Sequence, residues 1–164
     1  MIVRPARQED VPYIVASSVA MALETERREL NPDRLREGTL ALLAAPAYGF
    51  FLVAERPDAD RQRLIGQLMI TYEWSDWRNA AFWWIQSVYV DPAWRRQGVF
   101  TRMHGAVLER ARADGKVCGV RLYVERDNKA AQAVYQRLGL ESSFYVVYEQ
   151  DFVLSRHPPA SEGL

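Results

Sequence analysis

The sequence predicts an α/β (α+β) fold: a mixed, mostly antiparallel sheet with a parallel strand pair at its centre and helices on both faces. Three observations predict it. Gly49 to Glu55 and Leu64 to Tyr72 are apolar runs joined by the turn residues Pro57-Asp-Ala-Asp60, which is the pattern of a hairpin. Ala80 to Val90 is apolar at successive positions, as suits a strand covered by helices on both sides. Between Ile85 and Val124 a strand, an amphipathic helix and a second strand follow one another, so these two strands are expected to lie parallel across a right-handed crossover.

The remaining elements follow in chain order. Ile2-Val3-Arg4 is a short strand broken by Pro5, and Asp10 stands as a helix cap before the spacing Val11, Ile14, Val15, Val19. Asn31-Pro32-Asp33 opens a second helix, with Leu35, Leu40, Leu42 and Leu43 as its apolar positions and Pro46 as its close. Glu73 to Asn79 reads as a polar and aromatic connection. Val99, Phe100, Met103, Ala106, Val107 and Ala111 share one arc of a third helix that ends at Asp114-Gly115. Val120 to Glu125 is the next strand. Asp127-Asn128 then caps a short fourth helix, marked by Ala130, Val134 and Leu138 and closed by Gly139, and Phe144 to Phe152 is expected as a last strand. Residues 1–154 form one expected domain, and 155–164, with His157-Pro-Pro, a flexible tail.

Composition narrows the function classes. The 164 residues suffice for one core, and 49% hydrophobic with 26% charged content excludes a disordered or fibrous chain. Lys and Arg total 21 and Asp and Glu 21, so no overall charge draws the protein to nucleic acid. Cys118 is the sole cysteine, which excludes an internal disulfide and a thiolate metal cluster, and no metal site is indicated by His104 or His157. The first residues lack a secretory core, and no apolar run approaches the ~20 residues of a membrane span. The expectation is a cytoplasmic protein without membrane contact.

The stretch richest in chemistry is Asp91-Pro-Ala-Trp-Arg-Arg-Gln-Gly98, which carries the chain from strand to helix. The first N–H groups of a helix have no internal acceptor, and the helix dipole adds partial positive charge, so an anion is favoured there. Arg95 and Arg96 add charge, and Gly98 permits close approach of a ligand. Such a turn is a phosphate cradle.

These residues resemble the GCN5-related N-acetyltransferases, which move an acetyl group from acetyl-CoA to an amine. Arg95-Arg-Gln-Gly98-Val-Phe100 resembles the family's Arg/Gln-x-x-Gly-x-Gly/Ala signature; Asn128 with Ala131, and Tyr135 with Gly139-Leu140, stand where the family shows related residues. The resemblance implies an acetyltransferase domain over residues 1–154 and a parallel strand pair that splays. It implies that Gln97, Gly98, Val99, Phe100 and Thr101 hold the CoA pyrophosphate with Arg95 and Arg96. It further implies that Val88, Tyr89 and Val90 lend backbone to the pantetheine arm, that Asn128 and Ala131 complete the cofactor site, and that Tyr135 protonates the departing thiolate. Two departures stand out: Phe100 replaces a small residue, and Gln86 stands where many relatives carry an acid.

An amine must lose its proton before it attacks, since its pKa is ~7.7–8 for an α-amino group and ~10.4 for lysine. Glu73 and Glu24 are the candidate bases, with Asp76 and Glu26 beside them, and for each a solvated loop charge is the plainer alternative. Trp74, Trp77, Trp83 and Trp84 suit a core or a subunit contact, or the face of a cationic or aromatic acceptor. The expected function is N-acetylation of a primary amine on a small molecule or amino acid by direct attack in a ternary complex. A protein N-terminus or lysine as acceptor, and a CoA-binding regulatory module without turnover, are the alternatives. A homodimer is one option for the assembly.

Overall fold

The computed structural model describes residues 1–57 and 62–154. The expected hairpin turn beyond Pro57 and the expected tail 155–164 lie outside the described residues. The chain divides into two compact units, Met1–Tyr123 and Val124–Leu164, each taken here by itself.

The first unit holds β1 (Ile2–Pro5), α1 (Val11–Glu26), α2 (Pro32–Ala44), β2 (Gly49–Pro57), β3 (Gln62–Ser75), β4 (Ala80–Val90), α3 (Val99–Asp114) and β5 (Val117–Leu122). The strands form one sheet in the order β1-β2-β3-β4-β5, antiparallel except for the β4–β5 pair. A hairpin and a strand-helix-strand crossover are both present, as the sequence predicts. The parallel pair lies at one edge of this sheet instead of its centre.

Alternation in β2 explains how helices come to cover both faces. Leu52 and Ala54 join Leu68, Ile70, Ile85 and the α3 residues Val99, Met103 and Val107 in one buried cluster. Phe51 and Val53, pointing the other way, join Ile14 of α1 and Leu42 and Leu43 of α2. Each fully buried Leu or Ile contributes about 1.5–3 kcal/mol through removal from water, so a strand apolar at every position is best satisfied between two helical layers.

Local chemistry accounts for the element ends. Asn31 accepts hydrogen bonds from the N–H groups of Asp33 and Arg34, both at 3.0 Å, and Pro32 takes the first helical position, where its missing N–H costs nothing. Asp10 occupies the cap position of α1 but does not cap with its side chain. Its carboxylate instead accepts from the Arg7 N–H at 2.7 Å and from both terminal nitrogens of Arg4, while Arg4 also pairs with Glu55. An arginine brought from β1 outbids the helix N–H groups for the carboxylate.

Several boundaries differ from the sequence expectation, and β5 ends at Leu122 instead of Glu125. β3 runs on through Glu73, Trp74 and Ser75, because the ladder with β4 continues from Tyr72↔Trp83 to Ser75↔Ala80. The turn shrinks to Asp76–Asn79, with Asn79 at φ 48, a left-handed conformation that Asn tolerates. β5 begins at Val117, three residues before Val120, where Ala81↔Val117 starts its ladder.

The second unit contains α4 (Lys129–Arg137), capped by the Asn128 side chain on the Ala131 N–H at 3.0 Å and followed by a turn with Gly139 at φ 84. The strand expected over Phe144–Phe152 is not formed. Ser143 Oγ accepts from the Tyr145 N–H, and Asp151 Oδ1 accepts from the N–H groups of Val153 and Leu154 at 2.7 and 2.8 Å. These short local bonds turn the backbone, and strand propensity without a neighbouring ladder does not hold an extended chain.

Candidate active site

The site is built on the second half of β4. Its ladder with β5 ends at Ile85↔Leu122, while β4 itself continues to Val90. On the other side, Gln67↔Tyr89 and Gly66↔Val90 still pair with β3. Among the described residues of this unit, no strand pairs with the β5-facing side of Gln86 to Val90, and a backbone edge without a strand partner is a template for one more extended chain.

A bulge sits at the point of departure. Between Met69↔Gln86 and Gln67↔Tyr89, β4 spends one residue more than β3, and Ser87 takes φ 50. Gln67, fully buried, donates from Nε2 to the Ser87 carbonyl at 2.9 Å and lies 3.3 Å from Ser18 Oγ of α1. A buried amide thus clamps the bulge. The lone polar residue inside the run Leu64-Ile-Gly-Gln67-Leu-Met-Ile was the sequence signal for it.

Beyond Val90 the chain forms one 3₁₀ turn, Pro92–Trp94, and then the Gly-bearing turn. Gly98 is left-handed at φ 77, ψ 12 and is followed by right-handed Val99; alternating hands of this kind aim successive N–H groups into one concavity. The helix ladder begins with the Arg102 N–H on the Gly98 carbonyl at 3.1 Å, so the N–H groups of the first turn stand ahead of it. A Cβ on Gly98 would meet nothing within 4 Å. The space over the turn is open and sized by the absence of a side chain.

The flanking residues divide in function. Arg95 is committed: its terminal nitrogens hold Glu24 at 2.5 and 2.7 Å and its Nε donates to the Val90 carbonyl at 3.0 Å. Arg96, left-handed at φ 61, is exposed. Gln97 ties its amide to the Ala93 carbonyl, Val99 is buried in the core and Thr101 is exposed, so only backbone is on offer from Val99. Phe100 is drawn back along α3, its ring 6.0 Å from that of His104 one turn on. A cleft of about 450 Å³ borders the turn, lined among others by Arg56, Trp94, Gln97 and Arg102.

On the α1 face, a row of polar and aromatic side chains runs along β3, β4 and β5 away from the bulge. Gln86 donates to Thr71 Oγ1, Trp84 donates to Glu73, and Arg121 Nη1 reaches both Glu73 oxygens at 3.0 and 2.9 Å. Trp84 and Tyr123 stack with ring centroids 4.3 Å apart. In the second unit, Tyr135 is half-buried, and burial raises its phenol above the ordinary value of 10.0, which keeps it protonated at neutral pH. Asn128 spends its side-chain oxygen on the Ala131 N–H.

Residues 18–140 match the model of the acetyltransferase (GNAT) family. The chain belongs to that family. The acetyltransferase is similar to a solved structure described as a possible acetyltransferase from Clostridium difficile 630, with 37% identity over 93% of this chain and 98% of that one and a TM-score of 0.81. It shares its fold with a predicted acetyltransferase from Clostridium acetobutylicum solved with acetyl-CoA, at 18% identity, coverage of 91% and 95%, and TM-score 0.72. The same holds for the apo aminoglycoside antibiotic 6'-N-acetyltransferase of Acinetobacter haemolyticus, at 20% identity, coverage of 93% and 99%, and TM-score 0.69. No protein of curated function matches significantly. No helix among the described residues is long and apolar enough to cross a membrane.

Members of the family use acetyl-CoA, and this acetyltransferase has features that fit it: the stretch of β4 beyond its ladder with β5, the concavity at Gly98, and space above that turn which a Cβ would fill. The two carboxylates singled out in the sequence are both ion-paired. The Arg95 hydrogen bonds hold the Glu24 carboxyl below its ordinary range, which makes it a reluctant proton acceptor. Glu73 serves Arg121 and Trp84 on the half-buried row. Neither Trp84 nor Arg121 announced this in the sequence, because the ladder that aligns them joins residues 37 positions apart.

Proposed function

We propose that this acetyltransferase transfers the acetyl group of acetyl-CoA to a primary amine of a small molecule or amino acid, by direct attack in a ternary complex. The observation that carries this is the stretch of β4 after Ile85, which has no strand partner on its β5 side among the described residues of the first unit and leads through one 3₁₀ turn to the glycine turn at the head of α3. Bound there, acetyl-CoA would supply an activated carbonyl and a thiol leaving group.

The backbone of Val88, Tyr89 and Val90, apart from the Val90 carbonyl that Arg95 holds, is suited to pair with the pantetheine amides, and the N–H groups from Gln97 to Thr101 to hold the pyrophosphate, with Arg96 as exposed counter-charge. Arg95 keeps Glu24 and the end of β4 in place instead of binding phosphate. Asn128 and Ala131 order the head of α4, and Tyr135, protonated at neutral pH, is the proton donor to the departing sulfur. The amine's proton leaves through water toward Glu73, the carboxylate on the half-buried row. Cys118 has no part in it, and no acetyl-enzyme forms.

The test is a mass-spectrometric screen of amines, amino acids and peptides with acetyl-CoA, coupled to release of free thiol. Acetylated small amine in one-to-one yield with thiol is the expected result. Acetylation confined to peptides or protein moves the acceptor to that class, and thiol release without acetylated amine refutes transfer.

A further inference from the structure

The row of side chains on the α1 face has more built into it than a proton route. Arg121 sits over the Phe82 ring, its guanidinium carbon 3.6 Å from the ring centroid and 5.8 Å from that of Trp84. A guanidinium carbon held over a ring leaves the N–H donors, all on the rim of the fork, to be shared among partners beside it. Glu73 occupies only Nη1. Among the described residues, Nε and Nη2 make no hydrogen bond, so one edge of the fork remains with donors unspent. The side chain keeps about a third of its exposure.

The seat is made deliberately. Phe82 stands opposite Gly119 in the β4–β5 register, and a Cβ on Gly119 would come within 2.8 Å of the Phe82 ring. Any larger residue would lift Phe82 and tilt the guanidinium off its seat. Beside it, Trp84 stacks on Tyr123, which is 55% exposed. A fork with a free edge next to an exposed aromatic stack suits a molecule with a carboxylate and a hydrocarbon or planar body.

The geometry points to an acceptor that is itself a carboxylate: an amino acid whose carboxylate is received by the free Nε–Nη2 edge of Arg121 while its body lies against Trp84 and Tyr123. Arg121 is then a specificity-determining residue, and Phe82 and Gly119 are positioning residues acting through it. This rests on the N-acetyl transfer proposed above and narrows its substrate class. Glu73, pinned to Nη1, fixes the orientation of the fork and disfavours a second carboxylate near that nitrogen.

The experiment uses the full chain with acetyl-CoA and a series of α- and ω-amino acids, each paired with its own primary amide, with rates corrected for the fraction of neutral amine. The best acid is expected to exceed its amide ~10–100-fold in kcat/KM, the effect of one bond to a charged partner, and mainly through KM. Arg121→Lys, which keeps the charge but loses the fork, and Arg121→Met are expected to level the pair while acetyl-CoA affinity and melting temperature stay near wild type. Gly119→Ala should raise KM for the acid and leave that for the amide unchanged. Acid and amide accepted equally by the wild type, or a preference that survives in Arg121→Met, overturns the assignment while leaving N-acetyl transfer intact. No transfer to any amine in the series overturns both.

Discussion

Gly98→Val tests the cradle by changing the ligand's space without disturbing a neighbour. A Cβ at this position meets nothing within 4 Å beyond its chain neighbours, so the added side chain begins in open space. The fold does suffer strain, because Gly98 sits at φ 77, where an L-residue costs ~1–2 kcal/mol. In a chain of this length that lowers Tm by ~2–8 °C. The ligand loses more: a branched side chain fills the concavity toward which the N–H groups converge. Removing two bonds to a phosphate, at ~1.5–3 kcal/mol each, amounts to ~3–6 kcal/mol, or a ~100- to 10⁴-fold rise in Kd. Titration calorimetry with acetyl-CoA measures the loss, and a thermal scan confirms that the variant is folded. A folded variant that binds acetyl-CoA within threefold of wild type would refute the placement of the pyrophosphate at this turn.

Other outcomes follow from the same structure. Tyr135→Phe should lower turnover ~10–1,000-fold, the scale of a lost general acid, with acetyl-CoA affinity unchanged; steady-state kinetics that match wild type remove Tyr135 from the chemistry. Glu24→Gln breaks an exposed pair that contributes only ~0–1 kcal/mol, so kcat should stay within about threefold; a hundredfold fall would identify Glu24 as the base after all. His104 is buried, desolvation lowers its pKa below the ordinary 6.5, and its Nε2 has no partner among the described residues. Its unfolded form takes up a proton more readily, so its contribution to stability is complete above pH 6.5 and declines as pH falls from 6.5 toward the folded pKa. His104→Leu should therefore narrow the gap between urea midpoints at pH 7.5 and pH 5, and an unchanged gap contradicts the burial.

Much of the fold was legible because its signals are local. Asn31-Pro32 caps and starts a helix through bonds spanning three residues, and the Val99-to-Ala111 arc needs only the helical period. The Gly98 turn was legible for the same reason, since its conformation depends on one residue without a side chain. Phe144 to Phe152 shows the limit of such signals. Its composition asks for a strand, but a strand exists only with a ladder beside it, and bonds at Ser143 and Asp151 turn that backbone instead.

Glu24 and Glu73 mark the same limit within the site. Both are acids at element ends, suitable in sequence as bases, and each is claimed by an arginine from far along the chain, Arg95 for one and Arg121 for the other. Charge partners separated by 71 and 48 residues leave no trace in local composition.

The sequence alone determined the family, the strand-to-helix turn with its glycine, and the order of helices and strands as far as α4, because each depends on neighbours within a turn or two. Only the tertiary structure decided that β4 leaves β5 at Ile85, that Gln67 clamps the bulge at Ser87, and that Arg121 lies on Phe82 with part of its fork unspent. Those are consequences of register, and register is set when separate strands meet.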